Sequence, residues 1–552
     1  MMLHLFNQQA AYFVDSWQRS VLFLDVLRQR ANNLLEHDQQ GLPLILNFNY
    51  ETLLDARTFD PPANYALLKI TAVGDACLEE CLDKSKRPVL IVDPRAGHGP
   101  GIGGFKRDSE VGVAMMEGHA VYFASFFPEP CFEQDITDVL HALRQFVEEI
   151  SRRHDGMMPV LYGNCQAGWL IALLCADCAG LAGPAVLNGS PLSYWAGEDQ
   201  INPMRLSGGL LGGSWIVHWL ADTNQGLFDG AWLVQNFENL NPAHTLWEKN
   251  YKLFSEIDTE SERFLEFERW WTGYFQFSRQ EIISTVEDLF IGDQLEKGLF
   301  RVCKCCYADL KRIRNPILVF ASSGDNITPP HQALYWIYTA YQTTKALKKA
   351  KQRIVYLLNP HVGHLGIFVS ANVARFEHRA ILEHVDELEQ LKPGLYEMKI
   401  SNTSGDPDCH KPQYTVSFEE RLVEDIQQHY PYEPKAFENV EKTSELNQLV
   451  YETWVRPWFE VYAPGEQQQM FFKWLHPMRL KNCLFSERIN AAMAIMPFLA
   501  HFVQENRQPV DAHNWFKELE QVYSSSIATS LDSYKKIRDQ QLSFLFNLIY
   551  GE

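Results

Sequence analysis

Gly163-Asn164-Cys165-Gln166-Ala167-Gly168 sets a cysteine between small residues in the spacing G-x-C-x-A-G, the nucleophile-elbow pattern with Ala167 where its second glycine stands and Gly168 next to it. Residues 158–162 (MPVLY) ahead of it read as a short buried strand, and residues 169–176 (WLIALLCA) behind it as the start of an apolar helix. A sharp strand-to-helix turn brings two backbones so close that small residues must flank the turning residue, whose side chain is lifted clear of the sheet. The N–H that follows, on Gln166, then points at a substrate oxygen from a helix N-terminus. Taken alone, the motif is equally a buried thiol between two unrelated glycines.

Two later segments favour chemistry. Residues 316–321 (PILVFA) form an apolar, β-branched run that ends in Ser322-Ser323-Gly324-Asp325-Asn326-Ile327-Thr328-Pro329. Residues 353–358 (RIVYLL) form another, followed by Asn359-Pro360-His361-Val362-Gly363-His364-Leu365-Gly366. A nucleophile, an acid and a histidine, each just past a strand, follow the order of the α/β-hydrolase triad, and ligands of open α/β sheets bind at those strand ends. A free cysteine is only a few per cent thiolate near neutral pH. A histidine must take its proton, and a carboxylate must orient the imidazole. The predicted catalytic residues are Cys165, Asp325 and His364. His364 is preferred to His361 as the base because glycines flank it closely. His361 follows Pro360 and reads as a positioning or loop residue.

Residues 88–93 (PVLIVD) read as a strand leading into the glycine-rich stretch Pro94–Gly104. An early glycine-rich loop is where this architecture finds its second oxyanion donor, so Gly97, His98 and Gly99 join Gln166 as the predicted oxyanion hole. A phosphate cradle is the rival reading, but no Gly-Lys-Ser/Thr follows. Arg95, Trp169 and Trp195 are predicted to contact substrate, together with His361.

The surrounding chain reads as an α/β protein, a doubly wound and mostly parallel sheet with a helical cap insertion and a helical C-terminal region. The expected divisions are an N-terminal helical extension (1–60), core (61–190), cap (191–312), core again (313–395) and a C-terminal helical accessory domain (396–552). Strands at 88–93, 120–126, 158–162 and 184–188 alternate with a helix at 134–153. The 160 positions between Cys165 and Asp325 hold far more than one strand and one helix, and they are rich in aromatics. A cap excludes water and supplies an apolar pocket. Gly208-Gly209 and Gly212-Gly213 within it read either as a hinge or as a close-packing turn. The lysines of 344–351 read as a solvated helix face. Residues 399–412 read as a polar linker.

The chain has 552 residues, 46% of them hydrophobic, with 11 cysteines and a formal net charge of −20. That charge disfavours nucleic acid and anionic membranes as partners. Cys303-Lys304-Cys305-Cys306 lacks paired metal-ligand spacing, so no metal is expected. The cysteines show no regular disulfide framework, and neither a signal peptide nor a membrane-spanning run is evident. A reducing, cytoplasmic location is therefore expected.

The chain resembles the bacterial family described as poly(3-hydroxyalkanoate) synthetase-like, domain of unknown function 3141. The resemblance is densest in DPRAGHGPGIGGFK (93–106), GNCQAGW (163–169), GSPLSYWAG (189–197), NPMRLSGGLLGGSW (202–215) and SSGDNITPP (322–330). That family in turn resembles the polyhydroxyalkanoate synthases through the G-x-C-x-G elbow (Gly163, Cys165, Ala167 and Gly168 here), the acid loop Gly324-Asp325-x-Ile327-x-Pro329 and the pair Gly363-His364. The glycine-rich loop and the long C-terminal region depart from the synthase pattern. The resemblance implies an α/β-hydrolase core and acyl transfer from (R)-3-hydroxyacyl-CoA, with acyl-CoA or a polyester as substrate, no cofactor, and a homodimer. The alternatives are a thioesterase or polyester depolymerase of the same fold, and a non-catalytic scaffold with a vestigial site.

Overall fold

The computed structural model describes residues 2–551 apart from 74–75, 78–81, 304–305, 403–413 and 462–464. The apolar runs become strands β1 (Asn49–Asp55), β2 (Tyr65–Val73), β3 (Ala76–Cys77), β4 (Val89–Val92), β5 (Val121–Phe126), β6 (Val160–Asn164) and β7 (Ala185–Asn188). After a small separate antiparallel pair, β8 (Leu227–Asp229) with β9 (Gln276–Ser278), come β10 (Ile317–Ser322), β11 (Arg353–Asn359), β12 (Gly394–Asn402) and β13 (Tyr414–Arg421). The main sheet has the order β1-β2-β5-β4-β6-β7-β10-β11-β12-β13, with β3 paired to β2. From β5 through β12 every pairing is parallel, while β1, β2 and β13 pair antiparallel at the edges. This is a doubly wound α/β-hydrolase sheet. Its strand order reverses beside β4, which opens a crevice at the ends of β4 and β6.

Strands β4 to β7 and β10 are buried along their whole length, as parallel strands covered on both faces must be. Helix Ile136–Arg153 shields one face through Val139, Leu143, Phe146, Val147 and Ile150, one stripe at helical spacing. A capping box between Asp135 and Asp138 starts it.

The sheet reaches beyond the expected core at both ends. Past the N-terminal helix Met2–Gln39, β1 adds an edge strand. The strand pattern also continues past 395. β12 pairs with β11, and β13 folds back on β12 with alternating exposure. Charged residues such as Lys399, Glu419 and Arg421 suit a sheet edge and mask its strand character. Of the expected linker, 403–412 lie outside the described residues.

The cap between β7 and β10 is mostly helical. Its glycine cluster is a packing seat. A Cβ on Gly209 would come 2.7 Å from Phe546, and one on Gly213 would lie 2.4 Å from Ser444. Helix Trp515–Tyr550 locks there through Tyr550, whose hydroxyl donates to the Gly209 carbonyl at 2.8 Å. The same helix reaches the N-terminal helix, where Arg19 forks onto Glu520 at 2.8 and 2.9 Å. Helix Thr344–Lys349 carries part of the lysine run, with Lys348 exposed and paired to Glu420.

No regular disulfide framework is expected from the sequence, and the structure holds one local bridge. Cys303 and Cys306 are bridged, their Cα atoms 4.8 Å apart, a separation that admits a disulfide; Cys305 lies outside the described residues. Among the described residues no cluster of three or more His, Cys, Asp or Glu could hold a metal ion. No helix among them is long and apolar enough to cross a membrane.

Candidate active site

Cys165 turns the chain from β6 into helix Gln166–Asp177 at φ +48° and ψ −117°. A non-glycine residue holds such a strained conformation only when its surroundings dictate it. The Cys165 N–H donates to the Asn188 carbonyl at 2.8 Å. A Cβ at Gly163 would meet Ile171 at 2.6 Å, and one at Gly168 would lie 1.9 Å from Ser190 Oγ. The two glycines let the helix approach β6 and β7 closely enough to hold the turn.

His364, at the start of helix His364–Val369, places Nε2 3.2 Å from Cys165 Sγ. Its Nδ1 donates to Asp325 Oδ2 at 2.7 Å. Asp325 is fully buried, and its Oδ1 accepts the N–H groups of Ile327 and Thr328, each at 2.8 Å. Gly324 allows the acid loop to touch the histidine loop, since a Cβ there would lie 2.4 Å from the His361 carbonyl oxygen. Burial alone pushes the His364 pKa down. The charges of Asp325 and Cys165, and their hydrogen bonds, outweigh it and raise that pKa to about 10. The arrangement favours an imidazolium beside the sulfur.

As the first residue of its helix, Gln166 has an N–H with no intrahelical acceptor. Its side-chain oxygen is clamped by Trp169 Nε1 at 2.6 Å and the Tyr194 hydroxyl at 2.9 Å. The glycine-rich loop is pinned by Asp93, which accepts from Gly101 N–H at 2.6 Å and Gly103 N–H at 3.2 Å. Pro94, Ala96 and His98 line a pocket with Cys165 and His364. His98 packs its ring 4.2 Å from Trp270, and burial lowers its pKa to about 4, which keeps it neutral.

Two predicted oxyanion residues face the cap instead. The Gly99 N–H is already donated to the Gly273 carbonyl at 2.8 Å. Gly97, at φ +106°, accepts from Phe275 N–H at 3.0 Å and has no room for a Cβ beside Gly230. The predicted substrate contacts also resolve differently. Arg95 is buried and forks onto Glu281 at 2.5 and 2.8 Å, joining loop to cap. Trp169 turns inward to Gln166. Trp195 is buried against Phe437, with its indole N–H donated to the Ile291 carbonyl at 3.0 Å. His361 is exposed, and its backbone N–H closes a turn onto Asn359.

A polar cluster behind the elbow escapes sequence reasoning. The side chain of Asn164 donates to Glu110 and to Asp93, and that of Asn188 donates to Glu110 at 2.8 Å and to Asn164 at 3.0 Å. Burial raises Asp93 to about 6 and holds Glu110 well above the usual carboxylate range. Glu110 follows the N-cap Ser109, so in sequence it resembles any acid at a helix start.

The pocket beside Cys165 and His364 encloses only about 20 Å³, with Phe237 and Trp271 in its wall. That is room for about one water molecule.

Residues 15–552 match the family described as "protein of unknown function (DUF3141)". The chain belongs to this DUF3141 family. A curated relative from Rhizobium meliloti, "Uncharacterized protein in ackA 5′ region", is 42% identical over 550 residues, covering 98% of this chain and 74% of that protein. Among solved structures, a Paleococcus ferrophilus monoacylglycerol lipase is similar at 15% identity and a TM-score of 0.33, over 55% of this chain and 96% of that one. The thioesterase domain from the curacin biosynthetic pathway is similar at 11% identity and a TM-score of 0.32, over 61% of this chain and 99% of that one.

Proposed function

We propose that this protein is a cysteine acyltransferase that acts on (R)-3-hydroxyacyl-CoA thioesters through an acyl-cysteine at Cys165. The observation that carries the reading is the sulfur held 3.2 Å from an imidazole whose other nitrogen is 2.7 Å from a buried carboxylate. The Cys165 thiolate attacks the thioester carbonyl carbon. The oxyanion is received by the Gln166 N–H and by that of Ala96 or His98, residues that line the pocket with Cys165. The tetrahedral adduct expels the CoA thiolate, which leaves with a proton from His364. Neutral His364 then takes the proton of an acceptor hydroxyl, which attacks the acyl-cysteine and restores the thiolate. No cofactor enters this scheme.

One consideration favours transfer over hydrolysis. Exchanging one thioester for another preserves the acyl group's transfer potential, whereas a serine would trap it as a more stable oxygen ester.

Intact-mass analysis and CoA release with 3-hydroxybutyryl-CoA test the proposal. Acyl transfer leaves acyl groups on Cys165 or in polymer, and Cys165→Ala abolishes both CoA release and the adduct. Free acid in stoichiometric yield assigns a hydrolase instead. CoA release that survives Cys165→Ala, or no release at all, refutes the cysteine mechanism.

A further inference from the structure

We propose that a cavity of about 630 Å³ between the N-terminal helix, the cap and the C-terminal helices binds the apolar chain of a long-chain acyl substrate, with Trp271 as the movable partition between it and Cys165. For its catalytic half the proposal rests on the reading of Cys165 as nucleophile.

The first argument is space. The catalytic pocket cannot hold an acyl chain, so a substrate needs contiguous volume. Among the described residues, Trp271 alone lines both the pocket beside Cys165 and the larger cavity. The cavity falls within the range of 300–1,000 Å³ typical of small-molecule sites.

The second argument is chemistry. Phe23, Trp247, Tyr251, Phe254 and Phe485 form much of the wall. Its cations face carboxylates: Lys249 lies 2.9 Å from Glu268, Arg30 3.4 Å from Glu268, and Lys481 3.3 Å from Glu238. A wall neutralised in this way suits an uncharged apolar chain better than an ionic ligand. Leu246 and Tyr523, 64% and 68% exposed, mark the side that meets solvent.

The third argument is the partition itself. The Trp271 indole has one hydrogen bond, Nε1 to Glu238 at 2.8 Å, stacks on Phe267 with ring centroids 5.7 Å apart and leans on Trp270 at the same separation. Its ring also lies 5.6 Å from that of His98, beside the thiol. Rotation of this one indole joins the two spaces.

The test uses cis-parinaric acid, which fluoresces in apolar surroundings, on the full-length Cys165→Ala protein. Competition by saturated fatty acids should strengthen about fourfold per added methylene until the cavity is filled. Ser16→Trp and Asn250→Trp project bulk from two different walls. Each should weaken parinarate binding roughly tenfold, the equivalent of about two buried methylenes, with circular dichroism unchanged. Absence of chain-length dependence, or full affinity in both folded variants, overturns the proposal, and the chain-length series needs no cavity variant.

Intact-mass analysis of Cys165-containing protein separates the two readings. Acyl-cysteine from butyryl-CoA in both wild type and Asn250→Trp, with the palmitoyl-CoA adduct lost only in the variant, supports the cavity. Equal palmitoyl labelling of both proteins overturns the cavity while leaving the nucleophile intact. Parinarate binding that the variants block, with no acyl-cysteine from any thioester, sustains the cavity and removes the nucleophile.

Discussion

Asp325→Asn keeps the shape of the acid loop while deleting one charge. The amide oxygen still accepts from the N–H groups of Ile327 and Thr328, as Oδ1 does at 2.8 Å, and this turns the amide nitrogen toward His364 Nδ1. The rise of His364 from 6.5 to about 10 corresponds to about 5 kcal/mol in favour of the imidazolium, supplied against burial by Asp325 and Cys165 together. Without the Asp325 charge, burial pushes the imidazole toward its neutral form, and Cys165 loses its counter-ion. The assay is alkylation of Cys165 by iodoacetamide across pH, followed on the Cys165 peptide by mass spectrometry. Wild-type alkylation should be the faster throughout the neutral range, because the imidazolium of His364 persists until about pH 10. The variant, without that imidazolium, should lie on the order of 10²-fold below wild type at neutral pH. Turnover should fall about 10³- to 10⁴-fold, as for loss of the orienting charge in other triads. Superimposable alkylation profiles for the two proteins would refute the ion-pair reasoning.

Three further outcomes follow from the same geometry. Gly168→Ala sets a methyl 1.9 Å from Ser190 Oγ and 2.3 Å from its Cβ, and should cost about 1–3 kcal/mol in urea unfolding, with Ser190→Gly restoring much of it. Arg95→Met strands Glu281 in the core and should cost about 3–5 kcal/mol in stability while leaving the KM of the folded enzyme unchanged; a raised KM without a loss of stability contradicts the buried ion pair. Stability should also fall in two stages as pH rises. Asp93, raised by burial from 3.8 to about 6, binds its proton more tightly when folded, so its contribution is lost across that window. The contribution of His364 is whole below 6.5 and is lost as pH climbs through about 10, so His364→Gln should remove the upper stage from a urea-unfolding series.

The triad could be read from the chain because each member follows a buried apolar run, and a parallel sheet gathers such strand ends along one edge. Gly163, Gly168 and Gly324 reinforced the reading, because each stands where two backbones nearly touch. Side-chain direction was not accessible in the same way. Arg95 lies in the right loop but turns toward Glu281, 186 positions away. Trp169 and Trp195 carry polar N–H groups that find partners inside the protein, and burial follows from that. The hairpin β12–β13 hid behind alternating charge, since a half-exposed edge strand has no continuous apolar run. Glu110 and Trp271 carry no local signature, and their importance arises from neighbours that only the folded chain brings together.

The fork between Arg19 and Glu520 spans 501 positions of sequence. Arg19 is almost wholly enclosed in the finished protein and is also held by Asp15 at 2.7 Å. During synthesis at about 5–20 residues per second, that guanidinium waits roughly 25 to 100 s for the carboxylates of Glu520. Through that interval the first helix lacks its last helical neighbour and the large cavity has an open side. The order of translation therefore makes the sheet and its thiol early products, and the chamber walls among the last parts of the molecule to close.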